Sequence, residues 1–259
     1  DYIPAKGIWG SPWAGLKHFE AFFGSYYFQR LLRNTVVISL VSLVIGFPAP
    51  IVFALLLNEV RNMKFKRTVQ TITYMPHFIS LVVVCSLIRI FTMDTGVIVQ
   101  LLALFGFEPV SLLTKSRYFV PVYVLSDIWQ HIGWGSILYL SALSSIDPTH
   151  YEAAVIDGAG RWKQTVHVTL PGISSTIIIM FILRAGSIMN VGFEKIILLY
   201  NEGIYETSDV ISTFVYRKGL EQFQWSYSGA VGLFNSIINF VIVIIVNKIS
   251  RRVSETSLW

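Results

Sequence analysis

The sequence predicts an all-α membrane protein, and two observations carry that prediction. Apolar residues (AVILMFWYC) make up 54% of the 259 residues, and charged residues make up only 14%, where about 25% is usual in soluble domains. The charges are also segregated, because they lie between long apolar runs. A soluble domain could not cover its surface with so few charges, and the same composition excludes a disordered chain.

Five runs are long and apolar enough to cross a bilayer, which requires roughly 20 residues in a helix. They cover residues 34–58, 68–88, 118–146, 171–200 and 222–247. All five are expected to be helical, because a bilayer offers the backbone no outside hydrogen-bond partners. A β-barrel would need shorter alternating segments of about 10 residues, which the sequence lacks.

The positions of Lys and Arg predict the orientation of these spans. The densest basic cluster lies between the first two, at Arg61, Lys64, Lys66 and Arg67. Short cytoplasmic loops are enriched in such residues, so we expect this loop, the loop between spans three and four, and the C-terminus to face the cytoplasm. Asp1 would then lie outside, and because it is not Met we expect a sixth, N-terminal span that is missing from this chain.

The expected organisation has three parts. Residues 1–33 form an external loop and an interfacial helix, residues 34–247 form the transmembrane domain with a long loop at 144–171, and residues 248–259 form a cytoplasmic tail. Two outside segments are expected to be helices that lie on the membrane surface, the first because it is rich in the aromatic residues of membrane interfaces and the second because its apolar residues have helical spacing. They contain Phe19, Phe22, Phe23, Tyr26, Tyr27 and Phe28, and Val210, Ile211, Phe214 and Val215.

No pattern of catalysis or cofactor binding is present. The sequence lacks a phosphate-binding loop, a dinucleotide fingerprint and an H-E-x-x-H motif, and its five histidines are scattered. The one cysteine, Cys85, excludes a disulfide within the chain. The net charge of +5 does not indicate nucleic-acid binding, because the charges lie between spans. We therefore expect no catalytic residue, no metal site and no cofactor bound by this chain.

The loop Ser144–Gly172 carries the most informative local signals. Asp147 followed by Pro148 is typical of a helix start, with an acidic N-cap and Pro at the first helical position. Gly158 and Gly160 permit a sharp break after that helix. Loops of this length in compact proteins are usually functional.

Polar residues within the apolar runs are the second set of candidates. Arg184 is placed near the middle of its predicted span, where an Arg costs on the order of 2.5–3.5 kcal/mol, so it should face the bundle interior or a wet cavity. Asp127 and His131 lie one turn apart and either pair with Arg184 or line a pathway. The remaining candidates are Trp129, Trp134 and Arg89. Membrane spans are often rich in Trp in any case, and Arg89 is close enough to a span end to snorkel.

The loop Ser144–Gly172 also resembles a known family. Glu152-Ala153-Ala154, three residues, Gly158, nine residues and then Val168-Thr169-Leu170-Pro171 resemble the EAA–G–I-x-L-P loop of permease subunits in binding-protein-dependent ABC importers. The one departure is Val168, where the pattern has Ile. GSPWAGLKHFEAFF, LLRNTVVISL, ALLLNEV, YMPHFIS and SRRVSETSLW are similar to carbohydrate permeases of the complex-polysaccharide type, so the resemblance covers essentially all of the chain.

This resemblance implies a fold, partners and a role. The fold would be the helical bundle of a type I ABC importer permease in a bacterial cytoplasmic (inner) membrane. The partners would be a second permease subunit, two ATPase subunits that carry ATP and Mg, and an external binding protein that delivers an oligosaccharide. The loop at 144–171 would couple the permease to the ATPases. The coupling residues would be Tyr151, Glu152, Ala153, Ala154, Asp157, Gly158 and Ala159.

The sequence also suggests an acidic substrate. No acid lies within nine residues of Arg184 on its own helix, so the carboxylate of a uronate could be its partner. Alternatively, Asp127 or the second permease subunit neutralises the charge of Arg184, and no substrate carboxylate is needed. Two other functions remain open: an ion-coupled secondary transporter, for which we find no internal repeats, and a membrane-anchored assembly subunit, which would not explain the EAA loop.

Overall fold

The computed structural model describes residues 1–254, with side chains to residue 251, and in this range the chain is helical without β-strands. Residues 255–259 of the expected cytoplasmic tail lie outside the described residues. The α-helices, labelled α1 to α16 in chain order, are Gly7–Gly10, Lys17–Phe23, Phe28–Val41, Pro48–Glu59, Met63–Tyr74, Leu81–Thr92, Val97–Leu104, Ser116–Ser144, Pro148–Ile156, Arg161–Gln164, Leu170–Gly172, Ser174–Gly186, Phe193–Leu199, Tyr205–Ser208, Ile211–Tyr216 and Trp225–Ser254. Short 3-10 helices and π-helical turns connect several of them: Pro4–Lys6, Ser42–Gly46, Met75–Phe78, Leu112–Thr114, Thr165–Thr169, Glu202–Ile204 and Arg217–Glu221.

Several helical stretches are long and apolar enough to cross a membrane. Within the described residues these are Phe28–Glu59, Leu81–Leu104 and Trp225–Arg251, with 32, 24 and 27 residues. The helices Arg161–Gly172 and Ser174–Gly186 form a fourth stretch if they are counted together as one span with a bend of 62°. The 29-residue α8 is also long enough, but Asp127, Gln130 and His131 interrupt its apolar sequence. The chain is thus a multi-pass membrane protein.

Two predicted spans are broken rather than continuous. The run 68–88 is divided between α5 and α6 by the 3-10 helix Met75–Phe78, because Pro76 lacks the N–H that an α-helix requires. In the run 171–200, the helix α12 ends at Gly186, and the next helix, α13, begins only at Phe193. Arg184 therefore lies in the last turn of α12, and the prediction that it sits in the middle of a continuous span is wrong.

The segment after Gly186 is held outside a helix by polar side chains. The Asn239 side chain accepts a hydrogen bond from the backbone N–H of Met189 at 3.0 Å. The Asn190 amide oxygen accepts from Nδ2 of Asn235 at 2.8 Å and of Asn239 at 3.2 Å. The bond to Met189 replaces a helical backbone hydrogen bond, as a buried backbone requires, and the side-chain bonds of Asn190 connect the segment to α16.

The chain divides into two compact units, and the first comprises residues 1–42, 80–124 and 187–241. Phe22 is fully buried in its core, with ring centroids 5.2 Å from Phe28 and 5.6 Å from Phe234. The aromatic segment expected to lie on the membrane surface thus contributes to this core, and its helix α2 ends at Phe23. The second expected surface helix is α15, whose Ile211 and Phe214 are also buried.

A buried ion cluster lies in the same unit. Asp209 is inaccessible to solvent, and its Oδ2 accepts hydrogen bonds from Arg30 at 3.2 Å and from Arg217 at 2.8 Å. Its Oδ1 accepts a bond from Thr213 at 2.9 Å. Burial alone would lower the pKa of Arg217. The hydrogen bond to Asp209 and the charge of that carboxylate act in the opposite direction, and the net pKa is raised. One buried carboxylate thus pairs with two arginines inside the unit, and the cluster keeps one excess positive charge.

The second unit comprises residues 43–79, 125–186 and those from 242 onward. Its core joins α4, α8 and the segment that begins α12, through Ile51, Ala54, Tyr139, Leu143 and Ile173. These contacts fix both ends of the loop at 144–171, because α8 ends at Ser144 and α12 begins at Ser174.

Candidate coupling segment and polar cavity

The helix α9 begins where the sequence predicts. The Asp147 side chain accepts a hydrogen bond from the backbone N–H of Thr149 at 2.9 Å, and Pro148 occupies the first helical position. The backbone hydrogen bond from Thr149, more than any other interaction, lowers the pKa of the Asp147 carboxyl. The cap is therefore fully charged at neutral pH.

The helix ends in a Schellman motif at the glycine that the sequence singles out. Gly158 has a φ of 74°, in the left-handed region where glycine carries no steric penalty. The Ala159 N–H donates to the Ala154 carbonyl at 2.8 Å, and the Gly158 N–H donates to the Val155 carbonyl at 3.0 Å. This pattern satisfies carbonyls that the helix end would leave unpaired. By contrast, Gly160 has a φ of −68° and needs no such freedom.

The chain then returns beside α9 through Arg161–Thr169, the returning segment, and hydrogen bonds join this segment to α9. The Gln164 side chain donates to the Ala159 carbonyl at 2.8 Å. The hydroxyls of Tyr151 and Thr169 are 3.1 Å apart and hydrogen-bonded. Since Thr169 ends the π-helical turn that leads into α11, the helix α9 and the entry to the next span are joined by side chains as well as by the chain.

A cavity of about 740 Å³ lies between α9 and the returning segment. Its lining is mixed: apolar residues lie beside the titratable His150, Asp157, Lys163 and His167. The lining residues are Ile146, His150, Ala153, Ala154, Asp157, Ala159, Lys163, His167, Val168, Pro171 and Gly172. Four of the residues predicted for coupling, Ala153, Ala154, Asp157 and Ala159, thus line one cavity.

The outer surface of this segment is unusually apolar. Val155 is 62% exposed and Ile156 is 85% exposed, at the end of α9 that carries Gly158. Glu152 is exposed on the same helix. An exposed apolar patch beside charges is typical of a protein contact site.

The chain matches a family of known proteins over most of its length. Residues 46–255 match the family described as "Binding-protein-dependent transport system inner membrane component". That range includes α9, Gly158 and the returning segment. This chain is a permease of the binding-protein-dependent ABC importer family.

Its relatives place the permease among the carbohydrate permeases of that family. It is 44% identical over 260 residues to the "Polygalacturonan/rhamnogalacturonan transport system permease protein YteP" of Bacillus subtilis, covering 100% of this chain and 81% of that protein. It is 45% identical, with a TM-score of 0.91, to a chain of a bacterial ABC transporter involved in the import of the acidic polysaccharide alginate, covering 94% of this chain and 86% of that one.

A second solved structure shows a similar chain in a larger assembly. This is a bacterial alginate ABC transporter in complex with an alginate pentasaccharide-bound periplasmic protein. The two chains are 44% identical with a TM-score of 0.91, and the match covers 95% of the permease and 85% of that chain. These likenesses confirm the predicted fold, that of a type I ABC importer permease.

The permease has a second cavity, the polar cavity, of about 300 Å³ within the second unit. It brings together three of the polar residues that the sequence singled out, Asp127, His131 and Arg184. The other lining residues are Gly46, Phe47, Ala49, Pro50, Ile128, Ile132, Gly135, Tyr139 and Met180. The cavity thus places a cation, an acid and an imidazole in an otherwise mostly apolar pocket.

His77 is a neighbour of this cavity that sequence reasoning missed. Its ring stacks on Trp134 with centroids 4.6 Å apart and planes 3° apart, and it lies 5.5 Å from the ring of His131. His131 in turn places Nδ1 3.4 Å from Oδ1 of Asp127. The only local signal was Pro76, which breaks the helix and turns His77 towards α8.

The other predicted pathway residues are not part of this cavity. Trp129 and Trp134 are each 46% exposed and do not line it. Arg89 belongs to the first unit, where its Nε donates to the Leu198 carbonyl at 2.8 Å. Arg184 also has an interaction partner within the chain, contrary to the expectation from the sequence, and so does Asp127.

Proposed function

We propose that the segment from Asp147 to Gly158 couples this permease to an ATPase subunit in the cytoplasm. The observation that carries the proposal is the exposure of Val155 and Ile156 on a helix with both ends fixed. A rigid helix that presents apolar residues can transmit a displacement, whereas a flexible loop would absorb it.

The path of that displacement can be followed through contacts. A force on α9 would act on Tyr151, whose hydroxyl is bonded to Thr169 at 3.1 Å. It would also act on Asp147, three residues beyond the end of α8 at Ser144. Movement of α9 would therefore reach α8 and the returning segment together, and α8 carries the Asp127 and His131 that line the polar cavity.

The assembly that this requires has three kinds of partner. A second permease subunit would complete the pathway, two ATPase subunits would bind ATP and Mg, and an external binding protein would deliver the substrate. The support is membership of the binding-protein-dependent family and the similar chain that was solved with a periplasmic protein. The location would be a bacterial inner membrane.

A test of the contact is assembly of the importer with an Ile156 variant. Ile156→Asp places a charge where the ATPase would bury an apolar side chain, so co-purification of the ATPase should fall at least tenfold. Ile156→Val keeps the apolar surface and should co-purify normally. Full assembly of the Ile156→Asp variant would contradict the proposed contact.

We further propose that the substrate is an oligosaccharide that contains uronate residues. The support comes first from two relatives at 44–45% identity, whose names specify polygalacturonan/rhamnogalacturonan and alginate. It comes second from Arg184, which lines the polar cavity of this chain. A guanidinium binds a carboxylate through two parallel hydrogen bonds, which a neutral sugar cannot provide.

Transport of a uronate oligosaccharide and of a neutral one separates the alternatives. The Arg184→Gln variant should lose uronate transport selectively, by a factor of about 10 or more, since a charge-assisted hydrogen bond contributes about 1.5–3 kcal/mol. Arg89→Gln is the matched control, because Arg89 does not line the cavity. Equal loss of both substrates, or of neither, would remove Arg184 from substrate recognition.

A further inference from the structure

The link between α4 and α5 carries a dense basic surface, made of Arg61, Lys64, Lys66 and Arg67. It follows directly after the stretch Phe28–Glu59, which is long and apolar enough to cross a bilayer. The surface is structured: Asn62 caps α5 by accepting hydrogen bonds from the backbone N–H groups of Lys64 and Phe65 at 3.0 and 3.2 Å. The four cations are thus presented on a fixed turn and the first turn of a helix.

None of these four cations is neutralised by a carboxylate among the described residues. Arg61, Lys64 and Arg67 are exposed, and Lys66 is half-buried. The nearest acid along the chain, Glu59, forms an ion pair with Arg161 instead. A surface with four positive charges close together is therefore open to an anionic partner.

The same helix exposes apolar side chains beside the charges. Met63, Phe65 and Ile72 are 57%, 57% and 62% exposed. Phe65 and Ile72 are seven residues apart and share a face two turns long, whereas Lys64 and Arg67 lie on another face. A helix with a basic face and an apolar face, next to the end of a span, is suited to the boundary between headgroups and acyl chains.

We propose that the α4–α5 link and the first turns of α5 bind the headgroups of anionic phospholipids. The position at the end of a span places the cations at headgroup depth, where anionic lipids attract juxtamembrane Lys and Arg. The exposed Phe65 and Ile72 favour a lipid boundary over an acidic protein surface, because acidic surfaces offer them no apolar partner. The proposal does not depend on the identity of the substrate or on the coupling segment.

The experiment measures retained lipid in the intact importer complex. The complex is purified from membranes, exposed to equimolar phosphatidylglycerol and phosphatidylcholine in detergent, and its bound lipids are counted by native mass spectrometry. The test variant is Lys64→Gln with Arg67→Gln. The matched control is Lys115→Gln with Arg117→Gln, which removes two exposed cations from another part of the chain.

The wild-type complex should retain phosphatidylglycerol in preference to phosphatidylcholine. The test variant should lose that preference by roughly 30-fold, for two charges at a membrane surface, while the control keeps it. Equal retention by wild type and test variant, or an equal loss in the control, would overturn the proposal. Loss of ATPase subunits from the test variant with unchanged lipid retention would identify the surface as a protein contact, and would overturn it too.

Discussion

The substitution Asp209→Asn should destabilise the permease severely, because this one carboxylate forms ion pairs with two arginines. Asp209 is fully buried, and its Oδ2 is bonded to Arg30 at 3.2 Å and to Arg217 at 2.8 Å. Asparagine preserves the size of the side chain, removes its charge and replaces one acceptor oxygen with an NH2 donor. The change therefore tests electrostatics without creating a cavity.

The expected cost follows from the burial of the three groups. The Arg30 and Arg217 side chains are only 27% and 16% exposed, so neither can be fully rehydrated in place. Removing one partner of a buried ion pair costs about 3–5 kcal/mol, because the remaining charge stays desolvated. At about 2–4 °C per kcal/mol for a chain of this size, the melting temperature should fall by roughly 6–20 °C.

The assay is thermal unfolding of the purified importer in detergent, followed by intrinsic fluorescence. Glu206→Gln is the matched control, since Glu206 is an exposed acid three residues before Asp209 and should leave the melting temperature unchanged. The double variant Asp209→Asn with Arg217→Gln should recover part of the loss, because it removes one unpaired charge. A melting temperature of Asp209→Asn equal to that of wild type would refute the reasoning.

Two further substitutions test packing and capping. A Cβ at Gly133 would lie 2.3 Å from the Thr73 carbonyl oxygen, so Gly133→Ala should destabilise the chain by about 1–3 kcal/mol. A Cβ at Gly229 would meet nothing within 4 Å, so Gly229→Ala is the control and should leave the stability unchanged. The unfolding temperatures of the two variants check this. Asp147→Ala removes the cap of α9 and should reduce the stimulation of ATP hydrolysis by the loaded binding protein, whereas Asp147→Asn keeps a capping oxygen. Because the pKa of Asp147 is lowered from 3.8, its charged cap stabilises the fold above that pH and is lost only as the pH falls through the lower, folded value.

The segment around α9 could be predicted from the sequence because its signals are local. An Asp-Pro pair starts a helix and a glycine in the left-handed region ends it, whatever surrounds them. The structure places the start at Pro148 and the left-handed glycine at Gly158. The spacing of the family pattern supplied the same positions, so local chemistry and resemblance agreed.

The position of Arg184 could not be predicted in the same way. Residues 187–192 carry no charge, so hydropathy gives no reason to end a helix at Gly186. The break is held by side chains distant in sequence, such as Asn239, which accepts from the Met189 N–H. Hydropathy measures only how apolar a run is, and it does not register a partner that replaces helical hydrogen bonds.

His77 and Asp209 were missed for a related reason. Each acquires its role from residues that are far away in the chain: His77 from Trp134, and Asp209 from Arg30. A single sequence shows these residues only as isolated polar positions. The apolar face of α15 was recognised, but the partners that bury Phe214 within the first unit are likewise distant, among them Tyr27.

The measurement that tests the coupling role most directly compares two neighbouring glycines. Gly158 has a φ of 74°, so Gly158→Val forces a β-branched residue into the left-handed region, whereas Gly160, with a φ of −68°, accepts Val. In proteoliposomes with the ATPase subunits, the Gly158→Val importer should hydrolyse ATP at its basal rate but lose stimulation by loaded binding protein. The Gly160→Val importer should be stimulated like wild type. Full stimulation of the Gly158→Val importer would contradict the account, because α9 would then not transmit motion to the ATPase.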